Sequence, residues 1–220
     1  MAKLFAEQRV FLGQFWKQYR TTGAIWPSGR SLARALARFV RDGESQPDRP
    51  RRILEVGPGT GSVTVEIIRG MRPNDRLELV ELNDDFVAHL RQRFENDPPF
   101  QAVEKQSEIH HAPVEQLTAD HQYDLIVSGL PLNNFEVAEV ENILNTFRRL
   151  MKPGGVISFF EYIAIRKVKA CISGSSTRER LRGIASELDQ LCETEVRRDC
   201  VLMNVTPAWV HHVRLGEQPM

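Results

Sequence analysis

Glu55 stands two residues ahead of three glycines at alternate positions, Gly57, Gly59 and Gly61, and Glu81 closes a second apolar run that begins at Leu77. Glycine carries no Cβ, so a turn built this way takes positive φ and lets a ligand lie against the backbone. A loop that holds a pyrophosphate on a helix dipole more often reads Gly-x-Gly-x-x-Gly. Gly-x-Gly-x-Gly behind a carboxylate suits a ligand with no phosphate but with a cationic amino-acid end. A carboxylate at the tip of the next strand can accept both hydroxyls of a ribose. For these groups to meet, Ile53 to Val56 must form a buried strand and Ser62 must open a helix, and the spacing of Val63, Ile67 and Ile68 supports that.

The rest of the chain supplies the scaffold. Its 220 residues suffice for one sizeable core. Helical and extended patterns alternate: helix Val63 to Met71, strand Leu77 to Leu82, helix Asp85 to Phe94, strand Ser107 to His111, a short helix at Val114 to Leu117, strand Tyr123 to Ser128, helix Val137 to Leu150 and strand Gly155 to Tyr162. A helix over Thr177 to Cys192 then precedes two extended stretches, Glu195 to Val205 and Ala208 to Leu215. This order predicts an α/β fold with a seven-stranded, mostly parallel sheet, one antiparallel edge strand and helices on both faces.

Lys plus Arg and Asp plus Glu both number 29, so no global field draws nucleic acid. Cys171, Cys192 and Cys200 are odd in number and at no metal-ligand spacing, which predicts reduced thiols in a cytosolic protein. No apolar run approaches the roughly 20 residues of a membrane span, and Glu7, Gln8 and Arg9 break what would be a signal-peptide core.

In the first twenty residues, Leu4, Phe5, Phe11, Leu12, Phe15, Trp16 and Tyr19 share an arc of roughly 140° on a helical wheel. Lys3, Arg9, Lys17 and Arg20 lie at or beyond its edge. Such a helix can pack on a core or lie in an anionic headgroup layer. A loop through Trp26 and a helix from Ser28 to Val40 follow, so residues 1–45 read as an N-terminal helix and lid and 46–220 as the main domain.

Glu55, the glycines and Glu81 resemble the first motifs of Rossmann-like methyltransferases dependent on S-adenosylmethionine. The aromatic helix, Thr-Gly-Ala-Ile-x-Pro-Ser at 22–28, and Ser128-Gly-Leu-Pro-Leu with Asn134-Phe135 resemble the bacterial phospholipid N-methyltransferases. The resemblance implies that Glu55, Gly57, Gly59, Thr60 and Gly61 hold the methionine end of the cofactor, which leaves as S-adenosylhomocysteine. Glu81, Leu82, Ala112 and Pro113 would hold ribose and adenine, with His111 where the fold usually has an acid, and Ser128 would border the site. It also implies phosphatidylethanolamine and its mono- and dimethyl forms as substrate, with another aminolipid such as an ornithine lipid, a small amine, or the base of an rRNA adenine dimethyltransferase-like enzyme as alternatives, met by Tyr19, Trp26, Pro131, Leu132, Glu161 and Arg166. Tyr19 is the expected catalytic residue, walling the amine with Trp26. No nucleic acid partner and no metal are expected. Residues 1–20 would bring the enzyme to the cytoplasmic face of the membrane.

Two patterns are set aside. Asp97-Pro98-Pro99-Phe100 spells a motif of DNA amino-methyltransferases but follows a charged helix instead of the fourth strand, so it reads as a turn. His110 and His111 point to opposite faces of a strand, which makes joint metal ligation awkward.

Overall fold

The computed structural model describes residues 27–42, 49–118, 120–163, 175–202 and 207–215. The expected N-terminal helix, the site residues Tyr19, Trp26 and Arg166, and most of the basic segment around 166–180 lie outside the described residues.

Seven strands form one sheet in the order β3-β2-β1-β4-β5-β7-β6. They are β1 (Arg52–Val56), β2 (Arg76–Glu81), β3 (Ser107–His111), β4 (Tyr123–Ser128), β5 (Met151–Tyr162), β6 (Glu195–Val201) and β7 (Ala208–Arg214). The first five pair in parallel, and β7 lies antiparallel between β5 and the edge strand β6. Every residue of β4 is buried, as is required of a strand covered on both faces. The chain order reverses between β1 and β4, and at such a switch point a crevice opens beyond the carboxyl ends of the strands.

Helices cover both faces. On one side α1 (Pro27–Leu36), α2 (Arg38–Arg41) and α3 (Ser62–Gly70) bury Leu36, Val40 and Ile67 against Ile53, Leu79 and Val210. On the other, α6 (Val137–Leu150) and α7 (Ser175–Cys192) bury Val140, Phe147 and Leu188 against Leu54, Ile126 and Ile157. Residues 27–42 are therefore part of the core packing. Between these, α4 (Asp84–Asn96) is capped by Asn83, whose side chain accepts from the Asp85 and Phe86 N–H groups, and α5 (Pro98–Gln101) follows it.

Two elements differ from the sequence pattern. The expected helix from Ser28 to Val40 is interrupted at Ala37, giving α1 and α2. Strand β5 starts at Met151, four residues early: Met151 pairs with Tyr123, residues 152–155 bulge, and Val156 rejoins opposite Leu125. Gly154 supplies the positive φ of 76° that the bulge needs, while Lys152 Nζ donates to Asp124 at 2.8 Å.

The β6 and β7 side is tied to α2 by a buried polar chain. Arg38 Nε donates to Asp199, whose Oδ2 is 3.4 Å from His212 Nε2, and His212 Nδ1 is 2.8 Å from Ser158 Oγ. Burial pushes His212 down to about 4, so it is neutral at pH 7. Ser158 and His212 are 1% and 0% exposed, so the serine and histidine are sealed inside the strut, while Asp199 and Arg38 at its other end reach a surface pocket beside α1.

At the opposite end of the strands, Arg51 and Asp75 are buried together at 1% and 0% exposure. Arg51 donates to Asp75 Oδ2 from Nε and Nη2, and to the carbonyls of Val40 and Gly70 at 2.9 Å each. One guanidinium thus ties the ends of α2 and α3 to the start of β2. Asp75→Ala would strand that charge and should cost about 3–5 kcal/mol, read as a lowered midpoint in urea unfolding.

Candidate active site

The crevice forms where the glycine loop, the tip of β2, the turn after β3 and the loop after β4 converge. It is lined in part by Gly57, Glu81, Leu82, Ala112, Pro113, Leu130 and Phe135.

The loop owes its shape to the glycines and to one arginine. Gly57, Gly59 and Gly61 have φ of 70°, 56° and 78°. A Cβ on Gly57 would lie 2.7 Å from the Leu130 side chain, and one on Gly129 would lie 2.7 Å from the Gly57 carbonyl. The β1 and β4 loops therefore touch backbone to backbone. Arg93 Nη1 donates to the carbonyls of Thr60 and Gly61 at 2.8 and 3.2 Å, and its guanidinium lies 4.1 Å over the Phe100 ring. Asp97 accepts from Arg93 Nε at 2.7 Å. The Asp-Pro-Pro-Phe stretch is thus more than a turn: it begins α5 and braces the glycine loop from behind. Sequence reasoning missed Arg93, and only its place on the charged face of α4 hinted at it.

Glu81 joins two loops. Its Oε1 accepts from Leu82 and Asn83 N–H at 2.8 and 2.9 Å, and its Oε2 accepts from Gly59 N–H at 3.0 Å. A carboxylate offers about four acceptor positions, so three backbone donors leave one for a ligand hydroxyl. The sequence reading gave this group both hydroxyls of a ribose; here most of its capacity holds the loop. Burial pushes its pKa up, and the three N–H donors oppose that shift.

Glu55 is the most costly residue of the site. It is 1% exposed and neither carboxyl oxygen has a hydrogen-bond partner. Burial pushes it up to about 8 from an ordinary 4.5, with Glu81 adding repulsion while Thr64 and Arg93 pull the other way. At pH 7 it is therefore mostly protonated until a cation arrives.

Other residues predicted for the site are placed differently. Thr60 Oγ1 is 3.2 Å from Ser62 Oγ. Ser128 is wholly buried, and its hydroxyl accepts from Leu130 N–H, shaping the loop from beneath. Pro131 is buried and Leu132, 1% exposed, is a core residue under α6. Leu130 and Phe135 face the crevice in their place, because the one-turn helix Leu132–Asn134 rotates Leu132 inward. Glu161 is buried at the end of β5 on the α7 side, with Oε2 3.8 Å from His211 Nε2. His111 is turned out to Asp84 at 2.9 Å, while His110 meets Glu78 at 3.0 Å on the other face of β3.

Folding also assembles a group that sequence spacing hid. His211 Nδ1 is 2.6 Å from Glu195 Oε1 and 3.6 Å from Cys192 Sγ. Glu195 is already held by Arg198 at 2.6 Å, and burial pushes the Cys192 thiol up to about 11, so the thiol stays protonated within a hydrogen-bonded cluster behind the sheet.

The residues fit S-adenosylmethionine. The orphaned acid at Glu55 would meet an ammonium, the glycine loop would admit the amino-acid chain, Glu81 would accept from a ribose, and the apolar crevice would take a flat base. When bound, the cofactor supplies an electrophilic sulfonium methyl. The chain's own groups orient it and exclude water.

Known proteins agree. A family model described as a methyltransferase domain matches residues 53–155. The chain is 28% identical over 150 residues to an ornithine lipid N-methyltransferase of Singulisphaera acidiphila, a match spanning 68% of this chain and 74% of that one. It is 42% identical over 79 residues to ribosomal RNA small subunit methyltransferase A of Synechococcus, covering 36% of this chain but 26% of that enzyme. Its fold matches the O-methyltransferase of Bacillus cereus in complex with SAH at a TM-score of 0.60 and 16% identity, covering 93% and 90% of the two chains.

An acid whose pKa rises on folding costs stability as pH climbs through the interval between its two values. The ligand-free chain should lose stability between about pH 5 and 8, and Glu55→Gln should remove that loss, measured as unfolding free energy against pH. Cofactor binding near pH 7 should release a proton from the wild type and none from the Gln variant, read by calorimetry in buffers of differing ionisation enthalpy.

Proposed function

For a chain that is an S-adenosylmethionine-dependent methyltransferase, we propose N-methylation of the amine in a lipid headgroup: phosphatidylethanolamine and its mono- and dimethyl forms, or an ornithine lipid. The observation that carries this reading is the likeness to an ornithine lipid N-methyltransferase along about two thirds of the chain. The Ser-Gly-Leu-Pro-Leu loop, similar to that of the phospholipid enzymes, favours phosphatidylethanolamine.

A base as substrate is disfavoured by the same loop. In the rRNA adenine dimethyltransferases an asparagine accepts from the base amine and an aromatic residue stacks on it; the corresponding positions here are Gly129 and Leu132. Gly129 has no room for a side chain against the Gly57 carbonyl, and Leu132 is buried in the core. Neither an acceptor nor a stacking surface is offered there.

A lipid amine has an ordinary pKa of about 10.4 and must shed its proton before it attacks. Apolar walls ease that loss by disfavouring the charged form. Leu130 and Phe135 supply such walls from the described residues, and Tyr19 and Trp26 complete them in this proposal. Both aromatic residues then also hold the methylated ammonium by cation–π attraction. No helix of the described residues is long and apolar enough to cross a membrane. In this proposal the aromatic and basic residues of 1–20 bring the enzyme to an anionic bilayer at the cytoplasmic face.

The test is expression in a host that lacks methylated aminolipids, fed labelled methionine, with its lipids resolved by thin-layer chromatography. Label in phosphatidylethanolamine derivatives supports the first headgroup and label in ornithine lipid the second, whereas unlabelled lipids would remove the lipid reading. Tyr19→Ala should lower turnover about threefold to thirtyfold with cofactor affinity unchanged, and an unaltered rate would take Tyr19 out of the site.

A further inference from the structure

The group formed by Cys192, Glu195 and His211 so far has no role. It lies on the other flank of the sheet from the glycine loop: Cys192 ends α7, Glu195 begins β6, and His211 stands in β7, three strands from β1. Among the described residues, these three offer a thiol sulfur, a carboxylate oxygen and an imidazole nitrogen within 4.8 Å of one another. The His211 ring is held by stacking on Phe159, with centroids 5.0 Å apart and planes at 16°. That fixes Nδ1 toward Cys192 Sγ at 3.6 Å and Glu195 Oε1 at 2.6 Å.

The other nitrogen of the ring shows what is missing. Nε2 is buried without a hydrogen-bond partner, and Glu161 Oε2 lies 3.8 Å away. A neutral imidazole carries its proton on one nitrogen only. When Nδ1 donates to Glu195, the bare lone pair of Nε2 faces a carboxylate oxygen, so acceptor meets acceptor. A cation on Nδ1 reverses this. The proton then sits on Nε2 and points toward the Glu161 carboxylate, the kind of outer partner that metal-bound histidines almost always have. Glu195 is prepared in the same way. Arg198 donates to its Oε2 at 2.6 Å and reaches Oε1 only at 3.2 Å, which leaves Oε1 turned to His211.

We propose that Cys192 Sγ, Glu195 Oε1 and His211 Nδ1 bind a divalent transition-metal ion of the zinc class, with water in the fourth position. A thiolate and an imidazole select such an ion over magnesium or calcium, which take oxygen ligands. Tetrahedral zinc holds its ligand atoms about 3.3–3.6 Å apart. Sulfur and nitrogen already have that spacing, and Oε1 withdraws from Nδ1 by under about 1 Å to reach it. Cys192 gives its thiol proton to solvent as the metal–sulfur bond forms. Cys192 and Glu195 are half-buried, which leaves the ion a way in. The bound ion fastens the end of α7 to the antiparallel pair β6 and β7 at the sheet edge.

The test titrates the full chain, reduced and stripped with a chelator, with cobalt(II) as the coloured counterpart of zinc. The folded wild type should take up about one cobalt per chain, with a thiolate charge-transfer band in the near ultraviolet and tetrahedral bands in the visible, all lost on adding zinc. Cys192→Ser should abolish the charge-transfer band. Glu195→Gln should weaken cobalt binding about tenfold to a hundredfold; it keeps an acceptor for His211, so it tests the ligand even if the serine variant fails to fold. Cys171→Ser and Cys200→Ser, which remove the other two thiols, should leave the spectrum intact. Zinc should raise the urea midpoint of the wild type and leave that of Cys192→Ser where it was. A folded wild type that gives no thiolate band, or a band that survives Cys192→Ser, would overturn the assignment.

Discussion

A carboxyl group sealed from water without a well-formed hydrogen bond is expensive, costing about 1–3 kcal/mol even when protonated. Glu55 is that group here, with both carboxyl oxygens buried and without a hydrogen-bond partner at the foot of the glycine loop. Strand β1 presents it beneath the glycine loop, where a cationic ligand end would satisfy it. The surroundings are built to tolerate the cost. Arg93 supplies distant positive charge while spending its hydrogen bonds on the loop carbonyls and Asp97. Folding stability is thus exchanged for a binding site that is already dry before the ligand enters.

The second constraint is steric. Gly129 packs against the Gly57 carbonyl, where no side chain fits, and Gly57 itself holds a positive φ of 70° beneath Leu130. This contact closes the gap between β1 and β4 and sets how deep the crevice runs. It also determines what the β4 loop can offer a substrate. The loop turns immediately into a one-turn helix, which sends Leu132 to the core and leaves Leu130 and Phe135 on the wall. The wall it presents to the crevice is apolar, which favours a ligand group held without charge.

Away from the crevice, two buried polar clusters hold the covering helices in place. Arg51 with Asp75 gathers α2, α3 and β2 at one end of the sheet, and Arg38 with Asp199, His212 and Ser158 ties α2 to β6 and β7. Both clusters satisfy their members with several hydrogen bonds, which is the condition under which burying charge is tolerable. With both ends of these helices anchored, the glycine loop at the head of α3 has a fixed base.

What could be read from the chain alone was whatever depends on local pattern. Alternating apolar runs and helical spacing located most of the strands and helices, because periodicity records which face each segment buries. Alternate glycines behind Glu55 identified the loop, because positive φ at those points admits little else. The pattern could not report where side chains end up once a loop has folded over. Leu132 and Leu130 look alike in sequence, and a single turn of helix decides which one faces the ligand. His111 directly precedes Ala112 and Pro113, and only the folded chain shows it turned out to Asp84. Arg93 and Phe100 became supports of the loop through contacts across more than thirty residues of sequence. Residue types and spacing therefore determined the fold and the class of ligand, while the tertiary structure alone decided which individual side chains touch it, because that depends on packing between segments the sequence does not place side by side.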